Sequence, residues 1–175
     1  MDKESARSRN MKAIKNRDTK PEMQIRRALH AHGFRYRLSP PTIPGKPDLW
    51  LPAYHAAIFI NGCFWHAHGC SLFRFPINNS EFWVPKLTGN ATRDLQTYRT
   101  LYIKKIRTLV IWECALKGKH GISDILITTL IATWLKADQS CGFITCDGLT
   151  SGDTPDLKGM IGIIHTENQT NYLKS

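Results

Sequence analysis

Between residues 61 and 70 the chain reads Asn61-Gly62-Cys63-Phe64-Trp65-His66-Ala67-His68-Gly69-Cys70, placing two thiols and two imidazoles within eight residues. No other stretch restricts the fold so tightly. Thiolate sulfur and imidazole nitrogen are the donors four-coordinate Zn(II) prefers, and a structural site built from them fixes the backbone around it. A further donor, Cys114, ends the Trp112-Glu113-Cys114 run. Five donors for four positions leave one histidine over, and spacing alone does not say which. An imidazole held rigidly beside a metal, but not consumed by it, suits general-base chemistry near neutral pH. The bland alternative makes Cys114 a small buried residue and the histidines surface groups; Cys63 and Cys70 together favour the metal. Cys141 and Cys146 compete as ligands, but their Gly-rich, polar surroundings make them the weaker candidates, with free exposed thiols the plain alternative.

Charge narrows the partners. Lys and Arg number 24 against 14 Asp and Glu, a net charge of +10 on 175 residues, and the portion before residue 41 carries +7. Such an excess points to a polyanion, nucleic acid first. Lys3, Arg7, Arg9, Lys12, Lys15 and Arg17 recur with almost no apolar anchor between them, so residues 1–18 read as a basic arm that lies along phosphates or in a minor groove. A solvated tail is the plain alternative. No apolar run approaches the roughly 20 residues of a membrane span, and residues 1–20 lack the apolar stretch of a signal peptide. Together with the odd cysteine count, this argues for a cytoplasmic protein without a disulfide framework.

The chain reads as one α/β domain over residues 19–136, followed by a weakly structured tail over 137–175 in which only 160–164 resembles a strand. Thr19-Lys20-Pro21-Glu22 has capping-box spacing and opens a helix over 20–32. Residues 34–38 suggest a short strand. Segments 46–51 and 56–60 form a central hairpin, 90–106 a helix, and 108–112 a buried strand. Ile122, Ile125, Leu126, Thr129, Leu130, Thr133 and Trp134 then form a helical stripe.

Several other residues carry chemical interest. Asp48 follows Pro47 at a strand start, where an unpaired buried carboxylate would be expensive. Mg(II) is its natural partner; a turn role is the alternative. Glu22 is read as the capping partner of Thr19, and Asp94 as a solvated helix residue pairing with nearby arginines. Phe64, Trp65 and Trp83 pack in a core or, exposed on a basic protein, wedge into and stack on bases.

In this order and spacing, the segments 44–48, 59–70, 81–83 and 110–114, with the starts Ser8-Arg9-Asn10-Met11 and Arg17-Asp18-Thr19, resemble the very short patch repair (Vsr) endonucleases, bacterial enzymes that nick DNA at a T·G mismatch. The resemblance runs from about Arg7 to Trp134. It implies a restriction-endonuclease-like fold related to the PD-(D/E)xK nucleases, a mixed central sheet flanked by helices. It also implies structural zinc on Cys63, His68, Cys70 and Cys114, Mg(II) on Asp48 and the backbone carbonyl of Ile60, and catalysis by His66. Glu22 then contacts the magnesium water shell, Phe64, Trp65 and Trp83 wedge into the duplex, and Arg7, Arg9, Lys12 and Arg17 belong to the DNA clasp.

Where related nucleases carry a second acid and a lysine, this chain has Ile60-Asn61-Gly62. His66 therefore has to handle the attacking water. Asn61 stands where some members carry another histidine; it can donate to a phosphate oxygen but cannot transfer a proton. The implied partners are double-stranded DNA with a T·G mismatch left by deamination of 5-methylcytosine, a functional link to a cytosine-5 methyltransferase, and mismatch-repair proteins. The expected state is a monomer. The alternatives are a restriction-type enzyme cutting both strands and a zinc-stabilised DNA-binding protein without catalysis.

Overall fold

A computed structural model describes residues 17–155 and 159–163. Within them the chain forms a six-stranded mixed sheet in sequential order, β1 (Arg37–Leu38), β2 (Leu49–Leu51), β3 (Ala56–Asn61), β4 (Arg107–Trp112), β5 (Cys141–Thr145) and β6 (Gly148–Gly152). β3, β4 and β5 are mutually parallel, while β1/β2, β2/β3 and β5/β6 are antiparallel. Among the described residues the helical elements are α1 (Lys20–Ala31), α2 (Ser80–Ile103), the single turn α3 (Glu113–Leu116) and α4 (Asp124–Lys136), with a 3₁₀ turn at Pro52–Tyr54. None is long and apolar enough to cross a membrane.

The strand sequences explain the layering. Leu109 and Ile111 face one side, packed with Ile25 and Leu29 of α1 and Ile127, Ile131 and Trp134 of α4. Val110 and Trp112 face the other, with Leu95, Tyr98 and Leu101 of α2. β4 is thus apolar on both faces, as a central parallel strand must be.

α1 begins as the spacing predicts. The Thr19 hydroxyl accepts from the Glu22 N–H at 3.4 Å, and Pro21 sits in the first turn, where its missing N–H costs nothing. α2 starts ten residues earlier than the sequence suggests. It runs through Pro85, whose ring and lost donor disfavour a helix interior, so periodicity becomes legible only after Gly89. α4 buries a different stripe from the expected one: Ile127, Thr128, Ile131, Trp134 and Leu135 face inward, while Ile125 and Leu126 are exposed. A helix apolar almost all round does not announce its buried side.

The largest correction concerns the tail. Residues 141–152 form a β-hairpin that completes the sheet, with β5 paired in parallel to β4 over Thr108↔Cys141 to Ile111↔Ile144. Cys141 is buried rather than an exposed thiol, and of the strand expected at 160–164 the described residues 160–163 form none, although Met160 and Ile161 are buried. The Arg107 guanidinium stacks on Trp134 and donates to the carbonyls of Trp134, Leu135, Ala137 and Gln139, closing the end of α4 and turning the chain into β5.

Candidate active site

The cysteine and histidine cluster forms because two parallel strands end level with each other. Asn61 of β3 pairs with Trp112 of β4, so Cys63 and Cys114 emerge side by side two residues later. The loop after β3 then winds back on itself, with Ala67 N–H donating to Phe64 O and His68 N–H to Cys63 O at 2.9 Å, and this brings His68 and Cys70 to the same point. The donor atoms of Cys63, His68, Cys70 and Cys114 all lie within 4.8 Å of one another. His68 Nδ1 is 3.5 Å from Cys63 Sγ and 3.6 Å from Cys114 Sγ. Zinc–sulfur and zinc–nitrogen bonds of about 2.3 and 2.0 Å give tetrahedral edges near these values, so the donor set fits a metal ion. Hydrogen bonding from Cys63, assisted by His68, lowers the Cys114 thiol to about 4, while sharing that proton pushes the Cys63 thiol up. Trp112 stacks on His68 with centroids 4.1 Å apart and planes 7° from parallel. Cys146, in the β5–β6 turn, packs against this core cluster.

His66 points elsewhere. Its Nδ1 meets Asp94 Oδ2 at 2.5 Å, and Asp94 is half-buried on α2. The solvated role expected of Asp94 is therefore corrected, and it is the residue that sequence reasoning undervalued. One signal was present: Asn90, Asp94 and Tyr98 recur every four residues, one face of a helix. Asn90 donates to the Trp65 carbonyl at 2.8 Å, and the Tyr98 hydroxyl accepts from the Asn61 amide at 3.0 Å. That face of α2 thus holds Trp65, His66 and the end of β3 at once. Asn61 is buried against Tyr98, and burial pushes the Tyr98 phenol up.

Asp48 stands beside β3, its Oδ2 accepting from the Ile60 N–H at 2.6 Å. Burial pushes its carboxyl up to about 6; the Glu22 carboxylate adds to this, and the Ile60 N–H, Arg26 and His66 oppose it. Glu22 is itself buried and held from several sides. Arg26 donates to its Oε2 at 3.0 Å, as does the Asp18 N–H, and the Thr19 hydroxyl donates to its Oε1. Two neighbouring carboxylates, one with its charged form disfavoured, make a site that a divalent cation relieves.

Against Glu22 and the end of β3 lies a cleft of about 620 Å³, lined by Glu22, Ile60, Asn61, Phe64, Trp65 and Lys117 among others. Phe64 lies 5.2 Å from both Trp65 and Trp83, so the three aromatics form one half-exposed cluster. The Lys86 ammonium sits 5.3 Å from the Trp65 ring centroid and 5.6 Å from that of Trp83, a cation–π arrangement that sequence reading did not single out. Of the expected clasp, Arg17 is exposed, whereas Arg7, Arg9 and Lys12 lie outside the described residues.

The sequence profile described as DNA mismatch endonuclease Vsr matches residues 1–72. The DNA mismatch endonuclease Vsr of Escherichia coli (strain K12) is 35% identical over 145 residues, spanning 83% of this chain and 93% of that protein. The chain belongs to the Vsr family. Type II nicking enzymes are similar as well: V.NmeAIP of Neisseria meningitidis is 41% identical over 66% of this chain and 82% of its own length. V.XorIIP of Xanthomonas oryzae pv. oryzae is 36% identical over 61% and 78%. Within the Vsr family profile fall Glu22, Asp48, Asn61, His66 and three of the four clustered donors; Asp94 and Cys114 lie beyond it.

Proposed function

We propose that this DNA endonuclease nicks one strand on the 5′ side of the thymine in a T·G mismatch, leaving a 3′-hydroxyl for short-patch resynthesis, on a restriction-endonuclease-like fold. The observation that carries this reading is the convergence of Asp48, Glu22 and the His66–Asp94 pair at one end of the sheet, beside the loop that bears Phe64 and Trp65.

Each side chain has a role its surroundings favour. The Asp48 oxygen not engaged by Ile60, together with the Ile60 carbonyl, would hold Mg(II), with Glu22 toward its water shell. When bound, that ion supplies charge neutralisation at the scissile phosphate and at the departing 3′-oxygen. His66 takes the proton from the attacking water. Its Nδ1 is committed to Asp94, which fixes the tautomer and leaves Nε2 as the accepting atom. Asn61 positions and does not transfer a proton, because a carboxamide has no ionisable proton near neutral pH; Tyr98 holds its amide in place. Cys63, His68, Cys70 and Cys114 would occupy all four positions of a structural Zn(II), which keeps Trp65 and His66 on one rigid loop.

Recognition begins with Phe64, Trp65 and Trp83 entering the duplex. A T·G wobble stacks less well than a Watson–Crick pair, so opening that step costs less, and the mismatch is read partly as deformation energy. Arg7, Arg9, Lys12 and Arg17 clasp the phosphates. The substrate arises where deaminated 5-methylcytosine faces guanine, which links the enzyme to a cytosine-5 methyltransferase and to mismatch-repair proteins. It acts as a monomer in the cytoplasm. Nicking assays with Mg(II) on paired and T·G duplexes test the reading: cleavage of one strand of the mismatched duplex is expected. Cutting of both strands of paired DNA would replace it with a restriction-type activity, and no cutting of either duplex with a non-catalytic DNA-binding protein.

A further inference from the structure

We propose that residues 159–163 form a positioning strap for the active-site loop, with Gly162 the residue that lets the strap seat against His66. The segment lies far from the loop in sequence and beyond the stretch matched by the family profile, yet it touches the loop's backbone where the loop is most strained. Ala67, between His66 and His68, has φ +50°, a left-handed conformation that a residue with a Cβ adopts only when its surroundings hold it there. The Ile163 N–H donates to the Ala67 carbonyl at 2.9 Å. One residue earlier, a Cβ on Gly162 would overlap the His66 carbonyl oxygen and stand 2.9 Å from the His66 carbonyl carbon. Only glycine permits that approach.

The strap is anchored at its other end. The Trp112 indole N–H donates to the Gly159 carbonyl at 2.8 Å, Met160 is fully buried, and Ile161 is nearly so. Trp112 in turn stacks on His68. The loop is therefore held from two sides. Asn90 and Asp94 of α2 grip Trp65 O and the His66 ring, while the strap grips the peptide unit on the far side of His66. Gly69 leaves room for the contact, since a Cβ there would stand 2.6 Å from Ile163 Cγ2. Neither Gly162 nor Ile163 touches substrate; both act through the placement of His66. The functional weight of the strap thus rests on the nicking activity proposed above.

The test uses the full chain, zinc-loaded, with Gly162→Ala and Ile163→Pro, the second removing the donor to Ala67 together with the Ile163 side chain that packs on Gly69, and Thr150→Ala on the exposed edge of β6 as a control. In steady-state nicking of a T·G duplex, both strap variants are expected to lose at least tenfold in kcat with KM, duplex affinity and zinc content unchanged. In ¹⁵N-histidine spectra the ring signals of His66, assigned by their absence in His66→Ala, are expected to shift while those of His68 stay in place. Unchanged kcat and unshifted His66 signals in both variants would overturn the strap. So would a fall in kcat matched by equal loss of zinc. Should the wild-type protein fail to nick, the proposed activity fails, and the histidine spectra still decide the strap on their own.

Discussion

Replacing Asp48 with asparagine is expected to stabilise the magnesium-free protein while abolishing nicking. Burial and the Glu22 carboxylate push the Asp48 carboxyl from its ordinary 3.8 up to about 6. The folded state therefore binds this proton more tightly than the unfolded chain does. As pH rises through 3.8 the unfolded chain releases it first, so stability falls between about pH 4 and pH 6, and the full penalty is present above that. A change from 3.8 to about 6 corresponds to about 3 kcal/mol. Asparagine carries no charge to desolvate, and its oxygen can still accept from the Ile60 N–H, so most of that penalty should disappear. The measurement is urea unfolding of wild type and Asp48→Asn, both zinc-loaded and free of magnesium, from pH 4 to pH 8. The two curves should nearly coincide at pH 4 and separate to about 2–3 kcal/mol in favour of the variant by pH 7.5. Adding Mg(II) should narrow the gap, because an ion bound only by folded wild-type protein stabilises that protein alone. Equal stabilities at pH 7.5, or a less stable variant, would show that this carboxylate is not a strained group awaiting a cation.

Three other outcomes test the division of labour around the loop. His66→Ala should retain zinc and duplex binding while nicking falls by roughly 10² or more; loss of zinc in that variant would mean that the two histidines have exchanged roles. Asp94→Asn should lower kcat by roughly 10² with little change in KM, because it removes the group that sets the His66 tautomer; an unchanged kcat would make the contact incidental. Trp65→Ala should reduce discrimination between T·G and paired duplexes by about 1–3 kcal/mol in binding competition, the range of one stacked base; undiminished discrimination would remove Trp65 from the wedge.

What could be read from sequence follows from how local each signal is. Thr19, Pro21 and Glu22 declare the start of α1 because a cap is a contact within one turn. The four clustered donors were nameable because three of them lie within eight residues. By residue spacing alone, however, His66 and His68 are equivalent. The resemblance to a family assigned them, and the geometry that separates them depends on how the loop winds after β3. Asp94 was undervalued because a helix carboxylate is usually solvated, and its partner lies 28 residues away. The hairpin at 141–152 escaped notice because its second strand, Gly148–Gly152, is Gly- and Ser-rich and borrows its order from β5. β5 is fixed in turn by pairing with β4, a contact no local pattern encodes.

The level ending of β3 and β4 has a consequence for variation within the family. An ion bound by Cys63 and Cys114 would rivet the carboxyl ends of two adjacent parallel strands, and everything between them, including the whole of α2, leaves from one fixed point and returns to another. Residues 71–79 and the first turns of α2 can then change in length or character without moving the riveted ends, provided Asn90 and Asp94 keep their spacing. Substrate preference is free to drift in that excursion while the chemistry stays where the strands end.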